Sequence, residues 1–134
     1  MKKFLLLIFI CFVQNTFAQS GNTETTISID DNKIYSANVL DIQPEFPGGV
    51  DKFHKFIDEN YTTPKEKPNL KGKIYATFVV EKDGSLKDIK IIRDLGFGTG
   101  NEAIRVLNLS PKWAPGKQNN KVVRVLFSVP IVLN

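Results

Sequence analysis

The stretch KIYATFVVEKDGSLKDIKIIRD, residues 73–94, constrains the fold more than any other part of the chain. Ile74, Ala76, Phe78 and Val80 alternate with Tyr75, Thr77, Val79 and Glu81. That period of two places one set of side chains on a buried sheet face. Asp83-Gly84 then supplies the positive-φ turn of a hairpin, and Ile89 and Ile91 continue the return strand. Leu86 is off the alternation, which predicts a bulge near Lys87 or Asp88.

Helical spacing appears on both sides of the hairpin. After the turn FPGG at 46–49, Val50, Phe53, Phe56, Ile57 and Tyr61 recur at three and four, predicting a helix near 49–60 that stops before Pro64. Thr99 and Glu102 fit a capping box for a second helix near 100–110, with Ala103, Val106 and Leu107 as its apolar stripe. The final strand, 121–131, points Val123, Val125, Phe127, Val129 and Ile131 to one face. Docking it beside the first hairpin strand gives an α+β fold. It is a two-layer α/β sandwich with a three-stranded antiparallel sheet, order 2-1-3, and two helices on one face. The last strand is then an edge. Pro130 sits in it, and proline lacks the N–H that a central strand must donate.

The amino terminus reads as a secretory leader. Lys2 and Lys3 precede an apolar run from Phe4 to Val13, followed by small residues ending at Ala18. A ten-residue helix rises about 15 Å, half of the roughly 30 Å hydrocarbon core, so cleavage after Ala18 is expected in place of anchoring. Residues 1–18 are thus assigned as a signal peptide, 19–38 as a flexible polar lead-in, and 39–134 as one domain. The expected compartment is the bacterial periplasm, or the inner membrane if the leader stays uncleaved. Without Lys2 and Lys3, the 18 basic residues fall to 16 against 14 acidic, a net charge of +2. These charges are mixed along the chain, which does not form a nucleic-acid footprint. Losing Cys11 leaves no thiol for a disulfide, a nucleophile or a metal site.

Candidate chemistry is sparse. Gly96, Gly98 and Gly100 follow a strand and open a helix, but Asn101 stands where a dinucleotide fingerprint needs its third glycine. His54 shares a helix face with Asp58 and has no further converging group, so it reads as a surface or boundary residue. Ser85, Ser110 and Ser128 have no second histidine to activate them. No catalytic residue, metal site, cofactor or small-molecule substrate is expected, and the chain does not read as an enzyme. Trp113, in KWAPG, is expected to cap the open end of a small core, with a recognition contact as the rival reading.

Taken together, these features resemble a known family. Phe78-Val79-Val80, Asp83-Gly84, Ala103 with Arg105, and Trp113 followed by Pro115 are similar to the C-terminal domain of TonB over about residues 39–132. The lead DIQPEFPGG at 41–49 resembles the Bacteroidota type of this energy transducer. The resemblance implies a module that receives the TonB box of a TonB-dependent outer-membrane transporter alongside its last strand, in energy-coupled transport. Here that maps to residues 122–129, with Val123, Arg124, Val125, Leu126, Phe127 and Ser128 as the binding edge and Trp113 as a secondary contact. A full TonB carries an uncleaved membrane helix and a long proline-rich spacer. Cleavage after Ala18 would leave neither, so a homodimerising or adaptor domain without energy transduction is the alternative.

Overall fold

The computed structural model describes residues 32–134. The expected signal peptide and residues 19–31 of the lead-in lie outside the described residues. The elements are β1 (Ile34–Ser36), a 3-10 turn (Ala37–Val39), α1 (Val50–Asn60), β2 (Gly72–Val80), β3 (Leu86–Arg93), α2 (Thr99–Asn108), β4 (Gly116–Gln118) and β5 (Lys121–Leu133). Both helices and the predicted hairpin lie where the sequence pattern puts them.

The hairpin forms as its alternation requires. Ile74, Ala76, Phe78 and Val80 of β2 are all buried, and Val129, Ile131 and Leu133 of β5 join them in one core. Phe53 and Ile57 of α1 and Ala103, Val106 and Leu107 of α2 cover this face. The bulge lies in β3, where Thr77 pairs with Lys90 but Val79 with Lys87. Asp88 takes φ 52 there, the extra residue in a left-handed conformation.

The sheet departs from expectation in size. It has five strands, not three, in the order β1-β5-β2-β3 with β4 paired to β5 off that path. The whole order therefore differs, and the predicted 2-1-3 arrangement is kept only as the run β3-β2-β5, with β3 at one edge. β1 runs parallel to β5, with Ile34, Tyr35 and Ser36 in register with Arg124, Val125 and Leu126. The sheet is therefore mixed, and residues 34–38 of the expected flexible lead-in are ordered against it. β4 pairs Gly116–Gln118 with Val123–Lys121 across a turn at Asn119 (φ 51) and Asn120 (φ 62). Two left-handed residues in a two-residue loop make the turn that matches strand twist. Neither added strand has an apolar run of its own. Pairing with β5 orders them.

Two further local expectations change. No capping box forms, because Gly98, not Thr99, is the N-cap of α2. The Thr99 hydroxyl instead accepts the Leu95 N–H at 3.0 Å and donates to the Gly96 carbonyl at 2.7 Å. Glu102 reaches away to accept the Thr62 N–H at 3.0 Å and to pair with Arg105, whose guanidinium also donates to the Asn60 carbonyl at 2.7 Å. The pair joins α2 to the segment leaving α1. Trp113 is central as well as capping. Its ring lies 5.3 to 5.8 Å from those of Phe46, Phe53, Phe78 and Phe127, mostly edge to face.

Candidate functional site

The direction of each backbone group along β5 follows from the hairpin. The Glu81 N–H donates to the Ser85 carbonyl at 2.8 Å, so Glu81 and Ser85 are a hydrogen-bonded pair and Glu81 faces β3. Val80, one residue back, then faces β5. The β2–β5 register runs unbroken from Val80↔Val125 to Gly72↔Leu133. Val125, Phe127, Val129, Ile131 and Leu133 therefore direct their backbone groups at β2. Arg124, Leu126, Ser128, Pro130 and Val132 direct theirs to the opposite side. Pro130 thus lacks an N–H at a position where β2 needs none, which accounts for its place in a long strand.

Part of that outer edge is already occupied. β1 lies along Arg124–Leu126 on that side, whereas Val123, in phase with Val125, turns its backbone groups the other way and pairs with Gly116 of β4. Of the six expected edge residues, only Phe127 and Ser128 lie beyond these partners. From Phe127 onward no strand among the described residues pairs with the outer side of β5. The open stretch offers the N–H groups of Ser128 and Val132 and the carbonyls of Ser128, Pro130 and Val132.

The side chains of the expected site divide by face. Val123 and Val125 are buried, and Phe127 packs partly against the core. Arg124 is committed on the outer face. Its Nε and Nη2 donate to the two Glu81 carboxylate oxygens at 2.9 Å each, and its Nη1 donates to the Asn32 carbonyl at 3.0 Å. The fork on Glu81 raises its pKa still further. Leu126 is 47% exposed on the same face.

Beside the open stretch runs an apolar groove of about 230 Å³. Phe127 and Val129 border it from β5, and Val50 and Phe53 from α1. Trp113 touches the rings of both Phe53 and Phe127 and so joins the two sides. Glu45 and His54 supply its polar lining beside Ser128. Only the groove gives Trp113 a place in the site, since the residue is 5% exposed. The sequence pattern counted Val50 and Phe53 as core spacing. Val50 is 65% exposed, and an apolar residue directly after FPGG was the available hint. The Pro47-Gly48-Gly49 turn sets this up. Gly49, at φ 91, accepts the Phe53 N–H as the first bond of α1 and donates its own N–H to the Phe46 carbonyl.

Away from the groove, the remaining candidates do not converge. Among the described residues no group of three or more histidine, cysteine, aspartate or glutamate side chains could hold a metal ion, and no helix is long and apolar enough to cross a membrane.

Residues 60–133 match the family model described as Gram-negative bacterial TonB protein C-terminal. Two solution structures of the Helicobacter pylori TonB C-terminal domain are similar. One is 22% identical, with 63% of this chain and 90% of that chain covered and a TM-score of 0.43. The other is 21% identical, with 73% and 92% covered and a TM-score of 0.38. No curated protein matches the chain.

Proposed function

Because the chain belongs to the family of Gram-negative bacterial TonB protein C-terminal domains, a family of interaction domains, we propose that it is a periplasmic binding module for TonB-dependent outer-membrane transporters. The transporter's TonB box adds as a strand along the outer side of β5, beyond Leu126. The observation that carries this reading is the open backbone from Ser128 to Val132. Main-chain hydrogen bonds from such an edge give affinity, and alternate side chains give choice. β1 supports it in a second way, because the same edge already holds a short parallel strand at Arg124–Leu126. The site is displaced toward the carboxy terminus relative to the expected 123–128. Export by a cleaved leader delivers the domain to the compartment where a transporter's periplasmic segment is accessible.

The test is an amide titration of the isotopically labelled protein with TonB box peptides from transporters of the same cell. The Ser128 and Val132 amides should shift together and become protected from exchange. Shifts confined to other surfaces, with these two amides unmoved, would refute strand addition at β5. Concentration-dependent self-association through the same amides would support the homodimer instead.

A further inference from the structure

We propose that the groove between α1 and β5 is a specificity pocket that takes one large aliphatic or aromatic side chain from the added strand, at the residue opposite Val129. This inference deepens the strand-addition reading and rests on it. Residues paired across neighbouring strands project to the same face of a sheet. Val129 points to the core face, where it is 6% exposed and borders the groove. The residue set beside it on an added strand must therefore project into the groove, between the new strand and α1.

Size and lining fix the chemistry. A cavity of about 150 Å³ lined by aliphatic and aromatic side chains admits benzene. The groove here has about 230 Å³, enough for one phenyl ring or one branched aliphatic chain, but not for two. Phe46, Val50, Phe53, Trp113, Phe127 and Val129 present carbon to it. A small or charged residue opposite Val129 would leave that surface wet or lose its own hydration.

The occupant is a segment of another protein, and two other sources fit poorly. β1 runs parallel to β5, and Asn32, just before it, bonds to Arg124, so the described residues before Ile34 lie toward the start of β5 and away from the groove. After Ser36 the chain turns off the edge into the 3-10 turn at Ala37–Val39, immediately before the open stretch begins. The occupied and open stretches are thus continuous, and the described residues leave the second one vacant. A second copy pairing through β5 would bring its own Val129 and Ile131, whose side chains lie in that copy's own core. A free extended segment has uncommitted side chains on both faces.

The probe is a seven-residue peptide of alternating Thr and Ser with a lysine at each end and one central guest, Ala, Leu or Phe. It is titrated into the full labelled protein, with affinity from calorimetry and location from the Ser128 and Val132 amides. The Leu and Phe guests should bind about tenfold tighter than Ala, as for a side chain of three or more carbons partly withdrawn from water. Val50→Trp, on an exposed position, should fill the groove and reduce that preference to about twofold or less. His54→Trp is a second filling variant should the first disturb α1. Equal affinity for the three guests, with both amides shifting, would overturn the pocket and leave strand addition standing. An undiminished preference in the filled variants would also overturn it. If no guest moves the Ser128 and Val132 amides, strand addition itself fails and the pocket with it.

Discussion

Gly84→Ala separates two reasons for a glycine. Gly84 ends the hairpin turn at φ +88, and a Cβ there would lie 2.0 Å from the Trp113 carbonyl oxygen and 3.0 Å from its nitrogen. The turn tip also accepts the Trp113 N–H at 2.9 Å. An alanine adds left-handed strain of about 1–2 kcal/mol and must also push away a backbone it cannot bend around. Losing the hydrogen bond costs about 1 kcal/mol. Moving Trp113 weakens ring contacts worth about 0.5–1.5 kcal/mol each. The expected loss is about 3–5 kcal/mol. Gly96→Ala is the control, since it has φ +74 with nothing within 4 Å of the added carbon, and should cost only the strain of about 1–2 kcal/mol. Urea unfolding followed by the fluorescence of the single tryptophan measures both. If the two variants agree within about 0.5 kcal/mol, the close approach of turn and Trp113 backbone contributes nothing, and the reasoning is wrong.

Phe78→Ala should cost about 3–5 kcal/mol by urea unfolding, because the ring is fully buried against Trp113 and Phe127. The Arg105 hydrogen bond and the Thr62 N–H hold the Glu102 carboxyl below its ordinary range. Its stabilisation is therefore full above the ordinary carboxylate range and is lost as pH falls below that range through the lowered folded value, so Glu102→Gln should lose less stability on acidification than the parent. Tyr61 is pushed up to about 12 by burial first, then by the charges of Glu102 and Asp94. Because the folded value is the higher one, stability is full below about pH 10 and declines as pH rises toward the folded value. Tyr61→Phe should flatten this alkaline decline in urea midpoints, despite losing the bond to the Thr99 carbonyl.

The hairpin, both helices and β5 were legible because each carries its own apolar period. The bulge was legible too, since Leu86 broke that period two residues before Asp88. β1 and β4 were not. Ile-Tyr-Ser and Gly-Lys-Gln contain no repeated alternation, and their order comes from pairing with β5 at long sequence range. That hidden pairing changed the site. Pro130 marked an edge, as read, but the sequence could not show that Arg124–Leu126 were already partnered. The phase of the edge is likewise absent from the sequence pattern, because it follows from the Glu81–Ser85 backbone hydrogen bond. Thr99 and Glu102 had the spacing of a capping box, yet Gly98 adopts φ 79 and takes the cap, freeing both side chains for other partners. Groove and core share the residues Phe53 and Trp113, so periodicity alone could not set them apart.

If the outer side of β5 beyond Leu126 receives a strand, Ser128→Pro should block it. Ser128 directs its N–H away from β2, so a proline there removes no sheet hydrogen bond and should leave circular dichroism and urea stability close to the parent. Val129→Pro, one residue on, removes an N–H directed at Ala76 and should weaken the fold. Calorimetry with a TonB box peptide should show binding lost in the folded Ser128→Pro variant. A folded Ser128→Pro protein that binds the peptide as tightly as the parent would contradict strand addition at this edge.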